Sequence, residues 1–176
     1  RSLLGRVTGG PLQDAQDQVT ANVAGTVLGL ANLNCLLGHN GRGHLDSLNL
    51  WGKNTTRRQA WQMAAFEAHT PVGAIVRPNP ANQNSYYWTL ADNLKTDYVL
   101  GSTSGNRPAR TGIPDNTLAP IYLFSGNVPQ SGENYRAAFG RGVTADVQFP
   151  RTSVSYPWNE FFGRRIVQPA NHVTPS

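Results

Sequence analysis

Residues 134–158, NYRAAFGRGVTADVQFPRTSVSYPW, decide the fold class of this chain. They divide into NYRAAFG, VTADVQF and TSVSYPW, short runs rich in β-branched and aromatic residues. Such side chains suit a pleated surface, and short runs bounded by turn formers read as strands. The same texture extends upstream through APIYLFSG, DYVLGS, SYYWTLA and VGAIVR. RPNPANQN, SGNRPARTGIPDN and GNVPQSGEN separate most of these runs with Gly, Pro and Asn. From about residue 72 onward the expectation is a mostly β unit: a sandwich, a jelly-roll or a barrel. Its loops are long for simple hairpins, and long loops on a rigid sheet are where recognition usually sits.

The N-terminal third has a different period. Leu12, Ala15, Val19 and Val23 recur at spacings of three and four, which marks one buried helix face. Pro11 suits a first helical position and Gly25 can end the helix, so a helix is expected over about 11–24. Asp14 and Asp17 are expected to face solvent on it. In TVLGLANLNCLLG a strand and a continued helix fit equally, and SLNLWG alternates like a short strand. Thr56 followed by Gln59 is a capping-box pattern, in which each side chain satisfies an orphan amide of the helix start. It predicts a second helix over 57–68 with Trp61, Ala64, Ala65 and Ala68 on one face. The rival is an edge strand with Trp61, Met63 and Ala65 inward. Pro71 limits continuation.

At 176 residues the chain fits a single domain spanning 1–176, long enough to bury a core without disulfides. Residues 1–10 read as a basic N-terminal arm and 164–176 as a basic, proline-broken C-terminal extension. An arm without its own core needs a partner to order it, so this layout favours assembly. The chain does not begin with methionine, as a processed product, a mature form or an excised domain would not. Of fifteen basic residues only Lys53 and Lys95 are lysine; the other thirteen are arginine. Arginine forks carboxylates and phosphates and stacks on aromatics, so the skew suits interfaces. A net charge of +5 is too small and too evenly spread to indicate nucleic acid by itself. Cys35 is alone, which excludes an intrachain disulfide and a Cys-based zinc site, and its apolar neighbours suggest a buried small side chain. No apolar run reaches transmembrane length.

The chemistry-bearing residues are sparse. Glu67, His69, His39 and His44 are of types that bind metals, but no pair has a strong metal-motif spacing. Glu67 and His69 lie two apart, so a helix would not aim both at one ion. The ten acids show no evident pairing for glycosidic chemistry, and no G-x-S-x-G elbow exists. Asn54-Thr55-Thr56 forms an N-glycosylation tripeptide.

GHNGRGHLD at 38–46 gathers two histidines, an arginine and an aspartate among three glycines. Its Arg42-Gly43-His44 run, with Asn54 downstream, resembles the non-specific endonucleases of the ββα-metal type. That resemblance implies His44 as the base, Asn54 as a magnesium ligand, and Arg57 or Arg58 holding the phosphate. It covers roughly thirty residues. Gly41 stands where that family has an acidic residue, and the strand pair expected upstream is not evident. The plainer reading is a glycine-rich turn. Otherwise no cofactor is expected.

The aromatics point to contact instead. NSYYWT puts Tyr86 and Trp88 on one strand face and Tyr87 on the other. SYPWNEFF brings Tyr156, Trp158, Phe161 and Phe162 together, followed by Arg164 and Arg165. One such run can pack the core; alternatively it forms a sugar platform or a subunit interface paired with arginine. The expectation is a structural or recognition module, such as a virus coat or spike segment, that self-assembles or binds a macromolecular partner. A virion or extracellular setting fits better than the cytoplasm. The alternatives are the metal-dependent nuclease and a carbohydrate-binding domain.

Overall fold

Leu12–Val27 form helix α1, whose period the sequence announces. The computed structural model describes residues 11–46, 50–71, 74–78, 84–88, 92, 95–100, 110, 117–164 and 166. Pro11 lies just outside α1 in extended backbone, at φ −58° and ψ 152°. Gly25 does not end the helix; Gly29 does. At φ 70° Gly29 adopts the left-handed conformation. The chain then reverses, and the Leu30 amide donates to the Ala24 carbonyl at 2.9 Å. Ala15 and Val19 are buried as expected, Val23 is half-buried and Leu12 is exposed. Asp14 and Asp17 correct the expectation of a solvated face, because they are 2% and 0% exposed.

The ambiguous stretch resolves as helix. Leu33–Leu36 form the short α2, and Leu50–Asn54 form α3, so the last three residues of SLNLWG are helical and its first three lie outside the described residues. Leu33, Leu36 and Leu37 take the buried positions around α2. Cys35 falls on the remaining side and is exposed, contrary to its apolar neighbourhood. The capping box is present. The Gln59 amide donates to Thr56 Oγ1 at 3.3 Å, and the Thr56 amide donates to Gln59 Oε1 at 2.8 Å. It opens α4, Arg57–Ala64, which tightens into a 3₁₀ turn over Ala65–Glu67. Trp61, Ala64, Ala65 and Ala68 are all buried, so the edge-strand alternative fails.

The mostly β expectation is overturned. Among the described residues strands form only two small antiparallel sheets. In one, Ala74–Pro78 (β1) pairs with Asn84–Trp88 (β2). In the other, Tyr98–Val99 (β3) pairs with Thr117–Leu118 (β4). APIYLFSG carries no strand, and residues 134–158 are two helices, α5 at Tyr135–Ala145 and α6 at Gln148–Phe162. Asn134 caps α5 by accepting from the Ala137 amide at 3.0 Å. The α5 residues Ala138, Phe139, Gly142 and Val143 are buried, at spacings of one, three and one, which is the helical period. In α6, Pro150 sits in the first turn, where its missing amide costs nothing. Pro157 removes only one interior bond, to the Ser153 carbonyl, and the helix continues past it. Gly163 at φ 64° closes α6, its amide donating to the Asn159 carbonyl at 3.0 Å.

One apolar cluster runs from Ala21 in α1 through Trp61, Met63 and Phe66 to Phe139 and Val143 in α5. α1 packs against α2, α4 and α6. Trp61 Nε1 donates to the Leu37 carbonyl at 3.2 Å, so the buried indole has its partner. Phe66 stacks on Phe139 with centroids 5.5 Å apart. The Tyr122 hydroxyl donates to Asp146 at 3.0 Å. Burial first, and then the Asp146 charge, push that phenol far above its usual range, so it stays a donor.

Two helical glycines of α5 differ sharply in their surroundings. A Cβ on exposed Gly140 meets nothing within 4 Å. Gly140→Ala therefore removes only backbone freedom from the unfolded chain and should stabilise by about 0.5–1 kcal/mol. A Cβ on Gly142 would stand 2.7 Å from the ring of buried Tyr122. Gly142→Ala should cost about 1–3 kcal/mol despite the same propensity gain. Thermal midpoints moving in opposite directions are the expected result; matched stabilisation would refute the packing argument.

Candidate functional site

α6 carries the exposed aromatic surface, and its amphipathicity is inverted. Gln148, Thr152 and Ser155 are buried at 1%, 1% and 3% exposure, where α6 packs on α1 and α5. Phe149 packs against the core, but Val147 at the helix start and Val154, Trp158, Phe161 and Phe162 along it are 54%, 55%, 41%, 81% and 59% exposed. Positions 147, 151, 154, 158 and 161 follow a four-three alternation, which lines up one helix stripe. Trp158 and Phe162 touch, with ring centroids 4.4 Å apart. Arg151 is the one charged member of this stripe, exposed, with Nη1 donating to Gln148 Oε1 at 3.1 Å. Tyr156 is 42% exposed but lies two positions from Trp158. On a helix that spacing turns it away from the stripe, so the four aromatics of SYPWNEFF do not share one face. Arg164 is exposed just beyond α6, and Arg165 lies outside the described residues. In β2, Tyr86 opposes Val76 and Trp88 opposes Ala74. The side chains of that pair lie outside the described residues, as do the arm at 1–10 and all but Arg164 and Ile166 of the C-terminal extension.

The Gly-His loop is held by backbone contacts. The Gly41 amide donates to the Thr55 carbonyl at 3.0 Å. His39 and His44 stack with centroids 3.9 Å apart, and His44 is exposed. Asn54 ends α3 and is exposed. Arg57 Nε donates to the Leu37 carbonyl at 3.1 Å, and its guanidinium lies 4.4 Å from the centre of the Trp61 ring. Arg58 is exposed. The described residues upstream of His44 contain helices and no strand pair.

A cleft of about 690 Å³ opens at the start of α5, lined by Asp92, Pro120, Val128, Gln130, Glu133 and Tyr135 among others. Asp92 Oδ2 accepts from the Tyr135 amide at 3.1 Å, which places a carboxylate at the positive end of the helix. Its other oxygen is buried without a hydrogen bond and lies 3.7 Å from His69 Nδ1. The His69 ring stacks on Tyr135 at 4.0 Å. Glu67 takes different partners, Thr70 Oγ1 at 2.8 Å and Arg136 at 3.9 Å. Burial raises its carboxyl above the usual range, outweighing both. No group of three His, Cys, Asp or Glu among the described residues could hold a metal ion.

The densest polar constellation was invisible in the sequence. Arg110 Nη2 donates to Asp14 Oδ1 at 2.9 Å and to Asp17 Oδ2 at 2.7 Å. Its Nε donates to the Tyr98 hydroxyl at 3.2 Å, and that hydroxyl donates to Asp17. Burial alone would lower the Arg110 guanidinium; Tyr98 and the two aspartates outweigh it and hold the charged form. Burial and the charge of Asp17 push the Tyr98 phenol well above its usual range, so it remains protonated. These groups are closed in on one another, which makes the network a tie between α1, β3 and Arg110.

No described helix is long and apolar enough to cross a membrane. Set against family models, curated proteins and solved structures, the chain finds no match.

Proposed function

We propose that this protein is a structural module that works by self-assembly. The observation that supports the reading is α6, which turns Gln148, Thr152 and Ser155 toward the body and Trp158, Phe161 and Phe162 outward. A lone chain gains nothing from holding Phe161 at 81% exposure beside Trp158 and Phe162. Clustered exposed apolar groups of this kind mark contact surfaces, and Trp with Arg is the composition of interface hot spots. Two further arginines, Arg110 and Arg141, are engaged in ion pairs within the chain.

The test is the mass of the intact chain by light scattering. The expected result is a species that is a multiple of the 19.1 kDa chain and dissociates on dilution. Trp158→Ala should weaken association by about 2 kcal/mol, roughly thirtyfold. Trp158 is exposed, so the fold should survive the change. A mass of one chain at every concentration would refute the reading.

A further inference from the structure

We infer that the occupant of the α6 stripe is α6 of a second copy, laid antiparallel about a two-fold axis beside Tyr156; this rests on the self-assembly reading. The stripe is self-complementary. An isologous contact places residue i of one copy opposite residue j of the other, and j opposite i. An antiparallel pair centred at 156 sets Val154 against Trp158, and Arg151 against Phe161, twice each. Val154 is the smaller side chain and Trp158 the largest in the stripe, so each fills the space its counterpart leaves. Arg151 brings a cation over the Phe161 ring, a favourable pairing between a guanidinium and an aromatic face. A parallel arrangement would instead put Arg151 against Arg151 and Trp158 against Trp158, opposing like charges and crowding the bulkiest rings. The buried side of α6 is packed on α1 and α5 and leaves the stripe free to meet the second copy. The four-three alternation is the spacing at which two helices pack at a shallow crossing angle.

Disulfide trapping distinguishes the arrangements. Cys35 is exposed and would confuse it, so Cys35→Ser is the background. Chains carrying Val154→Cys are mixed with chains carrying Trp158→Cys and oxidised mildly. Antiparallel pairing predicts a heterodimeric crosslink between the two variants. It predicts little crosslinking of Val154→Cys with itself, because those Cα atoms are offset by four residues along the pair, beyond disulfide reach of about 7 Å. Arg151→Glu should weaken dimerisation at least tenfold without changing the far-ultraviolet circular dichroism. Crosslinking of Val154→Cys with itself alone overturns the inference in favour of a parallel pair. A stable oligomer that neither crosslinks at these positions nor responds to Arg151→Glu overturns the inference while the self-assembly reading stands. A monomer at every concentration overturns both.

Discussion

Arg110→Met is expected to lower the unfolding free energy by about 3–5 kcal/mol, because it removes a buried cation that two buried carboxylates share. Asp14 and Asp17 are 2% and 0% exposed, so water cannot replace the guanidinium. Methionine keeps much of the volume, which confines the loss to charge and hydrogen bonding. Urea denaturation at neutral pH measures the loss. A loss under about 1 kcal/mol would contradict the network. Replacing Asp14, Asp17 and Arg110 together by apolar residues should recover much of the stability, since a buried ionic group is costly to break and less costly to remove whole.

Gly41→Ala is the second large effect, expected at about 3 kcal/mol or more. A Cβ there would stand 1.5 Å from the Gly52 carbonyl oxygen and 2.6 Å from its carbon. Both are backbone atoms, so no rotamer change relieves the overlap, and α3 must move away from the loop. The acidic residue that a ββα-metal site carries at this position would meet the same obstacle. Gly43→Ala is the control. Gly43 is at φ 86° with nothing within 4 Å of a Cβ, so its cost is conformational only, about 1–2 kcal/mol. A chemical denaturation midpoint for Gly41→Ala no lower than that for Gly43→Ala would refute the close crossing of the two backbones.

The sequence made local signals legible and distant ones silent. The capping box at Thr56 and Gln59 is a four-residue device, and the structure contains it as read. The α1 period was equally clear, although its end was assigned to Gly25 when Gly29 makes the turn. Residues 134–158 misled because Gly140, Gly142, Pro150 and Pro157 cut a helical pair into strand-length pieces. The buried positions of α6 are the polar Gln148, Thr152 and Ser155, so no inward apolar stripe announced a helix there. Asp14 and Asp17 looked solvated because acids seldom lie buried without a partner. Their partner, Arg110, sits 96 and 93 residues away, and no local pattern announces it. The apolar residues beside Cys35 fill the inward positions themselves, which leaves the thiol outside. The aromatic run ending at Phe162 was singled out from composition, but its outward orientation depends on the helix that composition did not suggest.

The bonds from Arg110 to α1 span more than ninety residues of chain. Bringing such distant points together is entropically expensive, and contacts of that separation form after the nearby helices have found one another. An interaction completed beyond the folding barrier hardly alters the rate of descent into the native state; it slows escape from it. Removing Arg110 is therefore expected to speed unfolding far more than it slows folding, so that the lifetime of the native state shortens.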